Sequence, residues 1–109
     1  MKDAEREILL SFWKVLILHH ASEEPIHGQW ILTELRHHGY AISPGTLVPL
    51  LARMERRRWL KGTSDPQGGP RARRDCRLTA KGQSVLDLVR ARMRELFDEV
   101  VAEAERGKQ

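Results

Sequence analysis

The residues with the most obvious chemistry are cationic and clustered. Between Arg53 and Arg77 stand nine Lys/Arg, at 53, 56, 57, 58, 61, 71, 73, 74 and 77, against three acids, Glu55, Asp65 and Asp75. The stretch is therefore +6 in a chain whose net charge is +4, leaving −2 elsewhere. Concentrated positive charge suits phosphate, because each neutralised phosphate releases a counterion and adds affinity independent of base sequence. The plainer reading of Arg56, Arg57 and Arg58 is that they solubilise a helix end and complement its dipole. The phosphate reading is carried forward.

Other reactive side chains point to less. The five histidines come as His19-His20, His27 and His37-His38. A metal site needs two or three converging ligands in a fixed surround. Neighbouring helical histidines diverge by about 100° and chelate poorly alone. No metal or cofactor is assigned. Cys76 is the single cysteine, so no internal disulfide forms, which fits a reducing cytosol. It falls in a strand-like stretch and reads as buried packing rather than a redox sensor. No nucleophile stands beside a plausible base. Gly68-Gly69 lies in a hairpin, not before a helix, and Glu23-Glu24 is a loop pair without an acid/base partner. The chain does not read as an enzyme.

The totals agree with one soluble domain. There are 109 residues, 31% of them charged, and the isoelectric point is near 9.7. That length holds one core and hardly two. Asp3, Glu5 and Glu7 stand where a secretory leader would be basic. The apolar run "ILLSFWKVLIL" is too short to span a bilayer. A cytoplasmic location without a membrane partner is expected.

These side chains need elements to position them. Residues 3–20 read as a helix, with Ile8, Phe12 and Leu16 four apart and Leu9, Trp13, Ile17 and Leu18 widening the stripe. More than half its circumference is apolar, which one small core does not cover. A second helix is expected over about 26–38, buried through Ile31, Leu32 and Leu35, flanked by Trp30 and closed by Gly39 in a left-handed cap. Ser43 then reads as N-cap and Pro44 as the first helical residue. Leu47, Leu50, Leu51 and Met54 give the i, i+3, i+4, i+7 face of a third helix reaching about Arg58. Pro49 falls several residues inside it, where proline costs about 3 kcal/mol in an ordinary interior.

Two short strands, 59–64 and 73–78, flank the turn-rich "DPQGGP". Thr79 caps a last helix running to about Glu105. Leu86, Val89, Met93, Leu96 and Val100 form a heptad-like seam along it, with Leu88, Phe97 and Val101 beside them. At 1.5 Å per residue that helix is on the order of 40 Å long, longer than a globule of this size, roughly 26 Å across. Its seam must be covered by a partner, most simply a second copy.

The order helix, helix, turn, helix, strand, tip, strand, long helix defines the expected class: mainly α with a small β-wing, a winged helix-turn-helix followed by a long dimerisation helix. The third helix would enter a DNA major groove. Its outward face is read as Thr46, Pro49, Arg53 and Arg56, with Gly45 and Val48 flanking. Gly45 permits close backbone approach, while Thr46 and Arg53 reach base edges or phosphates. His27, beside Gly28, is placed to face the DNA backbone.

Here "IHG" opening a helix, "HGYAISPGTLVPLLARME", a basic hairpin and "RLTAKGQ" together resemble the PadR-type bacterial transcriptional regulators over roughly residues 11–101. The resemblance implies a winged helix-turn-helix homodimer that represses transcription, often with a phenolic or other small aromatic effector. It also implies that the final helix dimerises against the partner's first helix. Two positions depart from the pattern: Val48 and Gln29 stand where many members have Tyr. The single C-terminal helix matches the short subgroup.

The expected organisation is a DNA-binding unit over 1–78 and a dimerisation helix over 79–109. Ser43, Pro44, Gly45, Thr46, Pro49, Arg53, Arg56 and His27, with Arg71, Arg73 and Arg74 of the wing, would contact double-stranded DNA at a palindromic operator. Phe12, Trp13, Leu16, Leu86, Val89, Met93, Leu96, Phe97 and Val100 would form the dimer interface. Trp13 carries two readings, interface packing and the wall of an aromatic effector pocket. The rival function is a protein-interaction module built on the same fold.

Overall fold

Helix α1 (Lys2–Glu23) buries Trp13, Ile17, Leu18 and Ala21 along one side. The computed structural model describes residues 2–64, 67–69 and 73–107, with the Lys2 side chain excepted. After α1 the chain does not enter a helix directly. Ile26–His27 form a two-residue strand, β1, and helix α2 (Gly28–His37) starts only then. The expected helix start at 26 is thus corrected. Ile26 is buried and pairs with Cys76, giving the far edge of the sheet its hydrogen-bonding partner.

Helix α3 (Pro44–Arg56) packs Leu47, Leu50, Leu51 and Met54 into the core, as their spacing requires. Pro44 sits in its first turn and the helix continues through Pro49. Ser43 has the extended backbone of an N-cap, yet its hydroxyl caps no backbone N–H. Its carbonyl accepts from the Thr46 and Leu47 amides at 3.0 Å, and its hydroxyl stands 3.4 Å from that of Thr46.

Helices α2 and α3 end alike. The Tyr40 amide reaches back to the Leu35 carbonyl (3.2 Å), and the Trp59 amide to that of Met54 (3.0 Å), each closing a turn through one left-handed residue. At α2 that residue is Gly39, φ 91°, as the sequence predicts. At α3 it is Arg58, φ 64°, so the helix stops two residues before the expected position.

Strands β2 (Leu60–Ser64) and β3 (Arg74–Leu78) form an antiparallel hairpin, and the sheet order is β1-β3-β2. The Thr79 hydroxyl accepts from the Gly82 amide (2.9 Å) and starts helix α4 (Ala80–Leu96). A Cβ at Gly82 would lie 2.2 Å from the Trp59 carbonyl oxygen, so only glycine lets α4 seat this closely.

Helix α4 passes into a π-helical segment (Phe97–Ala102) and a last turn, α5 (Glu103–Arg106), with α-helical dihedrals at both junctions. A π turn is rare and often local to function. The molecule extends 60 × 31 × 20 Å, and its radius of gyration, 16.0 Å, exceeds the ~13 Å of a compact chain of about 100 residues. The long helix does project beyond the body.

The core corrects two seam residues. Leu86 is fully buried and Trp13 is 5% exposed, so both pack inside the chain rather than on its surface. Trp13 meets Tyr40 edge to face at 5.9 Å. Enclosed this way, it cannot line an open effector pocket. Leu16 and Val89 are partly buried. Phe12, Met93, Leu96, Phe97 and Val100 remain open to solvent, together with Ile8, Leu88 and Val101.

Candidate nucleic-acid interface

The turn between α2 and α3 presents one face of α3 outward, and helical geometry decides which side chains ride on it. With 47, 50, 51 and 54 buried, residues at 45, 49, 52 and 56 project most directly away. Gly45, Pro49 and Arg56 are exposed and Ala52 is partly covered. Thr46 lies further round and is partly buried, which corrects its expected outward position. Ser43 and Pro44 are exposed at the helix start. The outward ridge is therefore small and smooth, with Arg56 at its far end.

The two flanks of α3 differ. On one, Arg53 joins Leu10, Lys14, Met54, Arg57 and Trp59 around a shallow cavity of about 220 Å³. Arg57 stacks over the Trp59 ring at 5.6 Å. On the other, Val48, 61% exposed, opens onto a groove of about 510 Å³ between the start of α2, α3 and β3. His27, Gln29, Ala52, Glu55, Arg73 and Arg74 line it, with Cys76 at its base.

His27 is partly spent on structure. Its Nδ1 accepts from the Trp30 amide at 3.3 Å and caps α2. Burial, then the neighbouring Glu55 carboxylate, pushes the Cys76 thiol up to about 11. A protonated, 4% exposed thiol is packing, not a nucleophile.

The cations are not equivalent. Arg74 donates to Glu55 of α3 through Nη2 (2.8 Å) and Nε (3.2 Å), and through Nη1 to the Ser64 hydroxyl (3.3 Å). The carboxylate raises the already high guanidinium pKa further. This pair crosses β2 where Gly62 stands. A Cβ there would lie 1.8 Å from Glu55 Oε1 and 2.5 Å from Arg74 Nε. Arg73 pairs with Asp75 at 3.1 Å. Arg71 falls outside the described residues. Arg53 and Arg56 have no ion-pair partner among the described residues. Of the wing arginines expected at DNA, Arg74 is a brace from wing to helix and Arg73 has a carboxylate beside it, whereas Arg53 and Arg56 of α3 are without an ion pair among the described residues.

Sequence reasoning passed over Glu55, Gly62 and Ala52. The available signal was Glu55 itself, one acid amid a run of arginines. Ala52 could have been found by extending the helical period from Gly45.

Residues 17–88 match the model of the transcriptional regulator PadR-like family. The chain is 41% identical over 96 residues to the transcriptional regulator Rv3488 of Mycobacterium tuberculosis, covering 88% of this chain and 89% of that one. Its fold is similar to the PadR family transcriptional regulator of Eggerthella lenta, with a TM-score of 0.74, 30% identity and 95% of each chain covered. It is also similar to a PadR-like regulator of Bacillus cereus, with a TM-score of 0.71, 25% identity, and 94% and 97% covered.

Proposed function

Because the chain belongs to the PadR-like family of transcriptional regulators, we propose that it acts as a homodimeric cytoplasmic repressor on a palindromic operator, without enzymatic activity. The observation that carries the DNA contact is the outer face of α3: a low ridge of Gly45, Pro49 and Ala52 bounded by the exposed Arg53 and Arg56, which have no ion pair among the described residues. A ridge without bulk lets a helix sit deep in the major groove, and cations at its end meet phosphates.

Val48 adds a contact of a different kind. An exposed isopropyl group on the flank beside this face suits apolar contact with the thymine methyl. Arg73 would reach the backbone beside the groove, while Arg74 would stay with Glu55. Residues 1–78 would form the DNA-binding unit and 79–109 the dimerisation helix. The exposed row of Met93, Leu96, Phe97 and Val100, with Phe12 on α1, supports pairing of two copies. A closed Trp13 gives no support to an aromatic effector held at that residue.

Electrophoretic shift against genomic fragments tests the reading. Tight binding to a few palindromic fragments is expected. Absence of any shift at low salt would overturn it and favour a protein-interaction role for the exposed helix. Arg53→Ala should relax base preference if Arg53 reads a base, whereas loss of Arg57 should weaken all sequences alike.

A further inference from the structure

Away from α3, two histidines and a glutamate from different helices converge. His20 lies near the end of α1, Glu34 within α2, and His38 at the C-cap of α2. Glu34 Oε1 stands 3.2 Å from His38 Nε2 and 3.8 Å from His20 Nε2. All three atoms lie within 4.8 Å of one another. We propose that His20, Glu34 and His38 form a binding site for a divalent transition cation of the zinc type, tying α1 to α2.

The spacing is that of ligands around one ion. A tetrahedral zinc with bonds of about 2.0–2.1 Å holds its ligand atoms about 3.3 Å apart. Closing the triad needs small side-chain movements, chiefly of His38, which is half-exposed at a helix end. Two imidazoles and one carboxylate are a donor set suited to zinc and its neighbours, and leave a fourth position for water. Calcium and magnesium prefer oxygen ligands and fit poorly.

The surround of His20 fits as well. Its Nε2 faces Glu34 while its Nδ1 faces Glu23 at 3.8 Å. A carboxylate behind a ligating imidazole orients the ring and raises its basicity. The Trp30 ring stands edge-on to His20 at 5.2 Å and limits its rotation.

A second set, His19, His20 and Glu23, shares His20 and also lies within ligating distance. It is disfavoured by charge. The Arg90 guanidinium bonds His19 Nδ1 at 3.0 Å, placing a fixed positive charge beside any ion held there. Sequence alone did not join His20 to His38, because they are far apart along the chain and meet only when α1 packs on α2.

The test is titration of the tag-free full chain with zinc chloride in competition with a chromophoric chelator. One zinc per chain is expected. Glu34→Gln and His38→Gln should each weaken it at least tenfold, and up to roughly the 100-fold that loss of even an outer-shell partner produces. His37→Gln and His19→Gln should leave it unchanged. Both Glu34→Gln and His38→Gln alter partly open side chains, and circular dichroism would verify their fold. Zinc should raise the unfolding temperature of the parent chain and not of these two variants. Stoichiometric binding that survives Glu34→Gln, binding abolished by His19→Gln, or no binding at all would each overturn the site. None of these readouts requires DNA.

Discussion

Leu86 and Leu96 stand ten residues apart on one helix, in the same apolar seam, and their fates are opposite. Leu86 is fully buried by its own chain, and Leu96 is 58% exposed. The first half of α4 packs on α1 and the sheet. The second half, with the π segment, leaves the body. Both halves obey the same 3–4 spacing, so periodicity reveals that a face must be covered and says nothing of which chain covers it.

The largest effect should come from the covered half. Leu86→Ala should lower stability by about 2–5 kcal/mol, the range for a buried leucine left as a cavity, while Leu96→Ala should cost a dilute, monomeric sample little. Thermal unfolding at low concentration separates them, and equal losses would break the contrast.

In the uncovered half, Phe97→Glu with Val100→Glu should weaken self-association. Burial of each side chain is worth about 1.5–3 kcal/mol, so the dissociation constant should rise at least roughly 100-fold. Sedimentation velocity would show monomer where the parent chain is dimeric. A parent chain already monomeric at high concentration would leave the exposed row unexplained by pairing.

Cys76 probes the covered region differently. Its thiol is held near 11, above its ordinary value, so the neutral form is what the fold favours. This contribution to stability is complete below about pH 9 and is lost as pH rises through about 11. At pH 8 alkylation of folded protein should be on the order of 100-fold slower than of unfolded protein, as timed by mass spectrometry. A fast reaction would mean that the base of the groove opens.

The smallest effect is expected at the brace. The Arg74 side chain is 54% exposed, and exposed pairs contribute about 1 kcal/mol or less. Glu55→Gln should reduce stability by no more than that in urea titrations, yet leave Arg74 without its counter-charge.

Much of this was legible in the sequence. The buried face of α3, the glycine ending α2 and the Thr79 cap each rest on contacts within a few residues, where spacing and residue type decide. The misreadings have a common cause. Strand β1 pairs with the edge of β3 that β2 leaves open, a need invisible in "IH" itself. Arg74 and Glu55 are 19 residues apart, and His20 and His38 sit on separate helices. Trp13 looked like surface because its stripe is wide, and only the packing of Tyr40 shows that it is enclosed. Charge runs give the number of cations, whereas pairing decides how many are available.

Gly62 governs that last number. It is a gap in β2 through which helix and wing hold one another. A methyl group at this position would collide first with the Glu55 carboxylate and then with the Arg74 guanidinium, and would part the pair. The chain would become slightly looser and, on the DNA contact proposed for this side of the molecule, each newly available cation would steepen the dependence of affinity on salt. A residue with no side chain thereby decides whether these two charges cancel one another or stand apart.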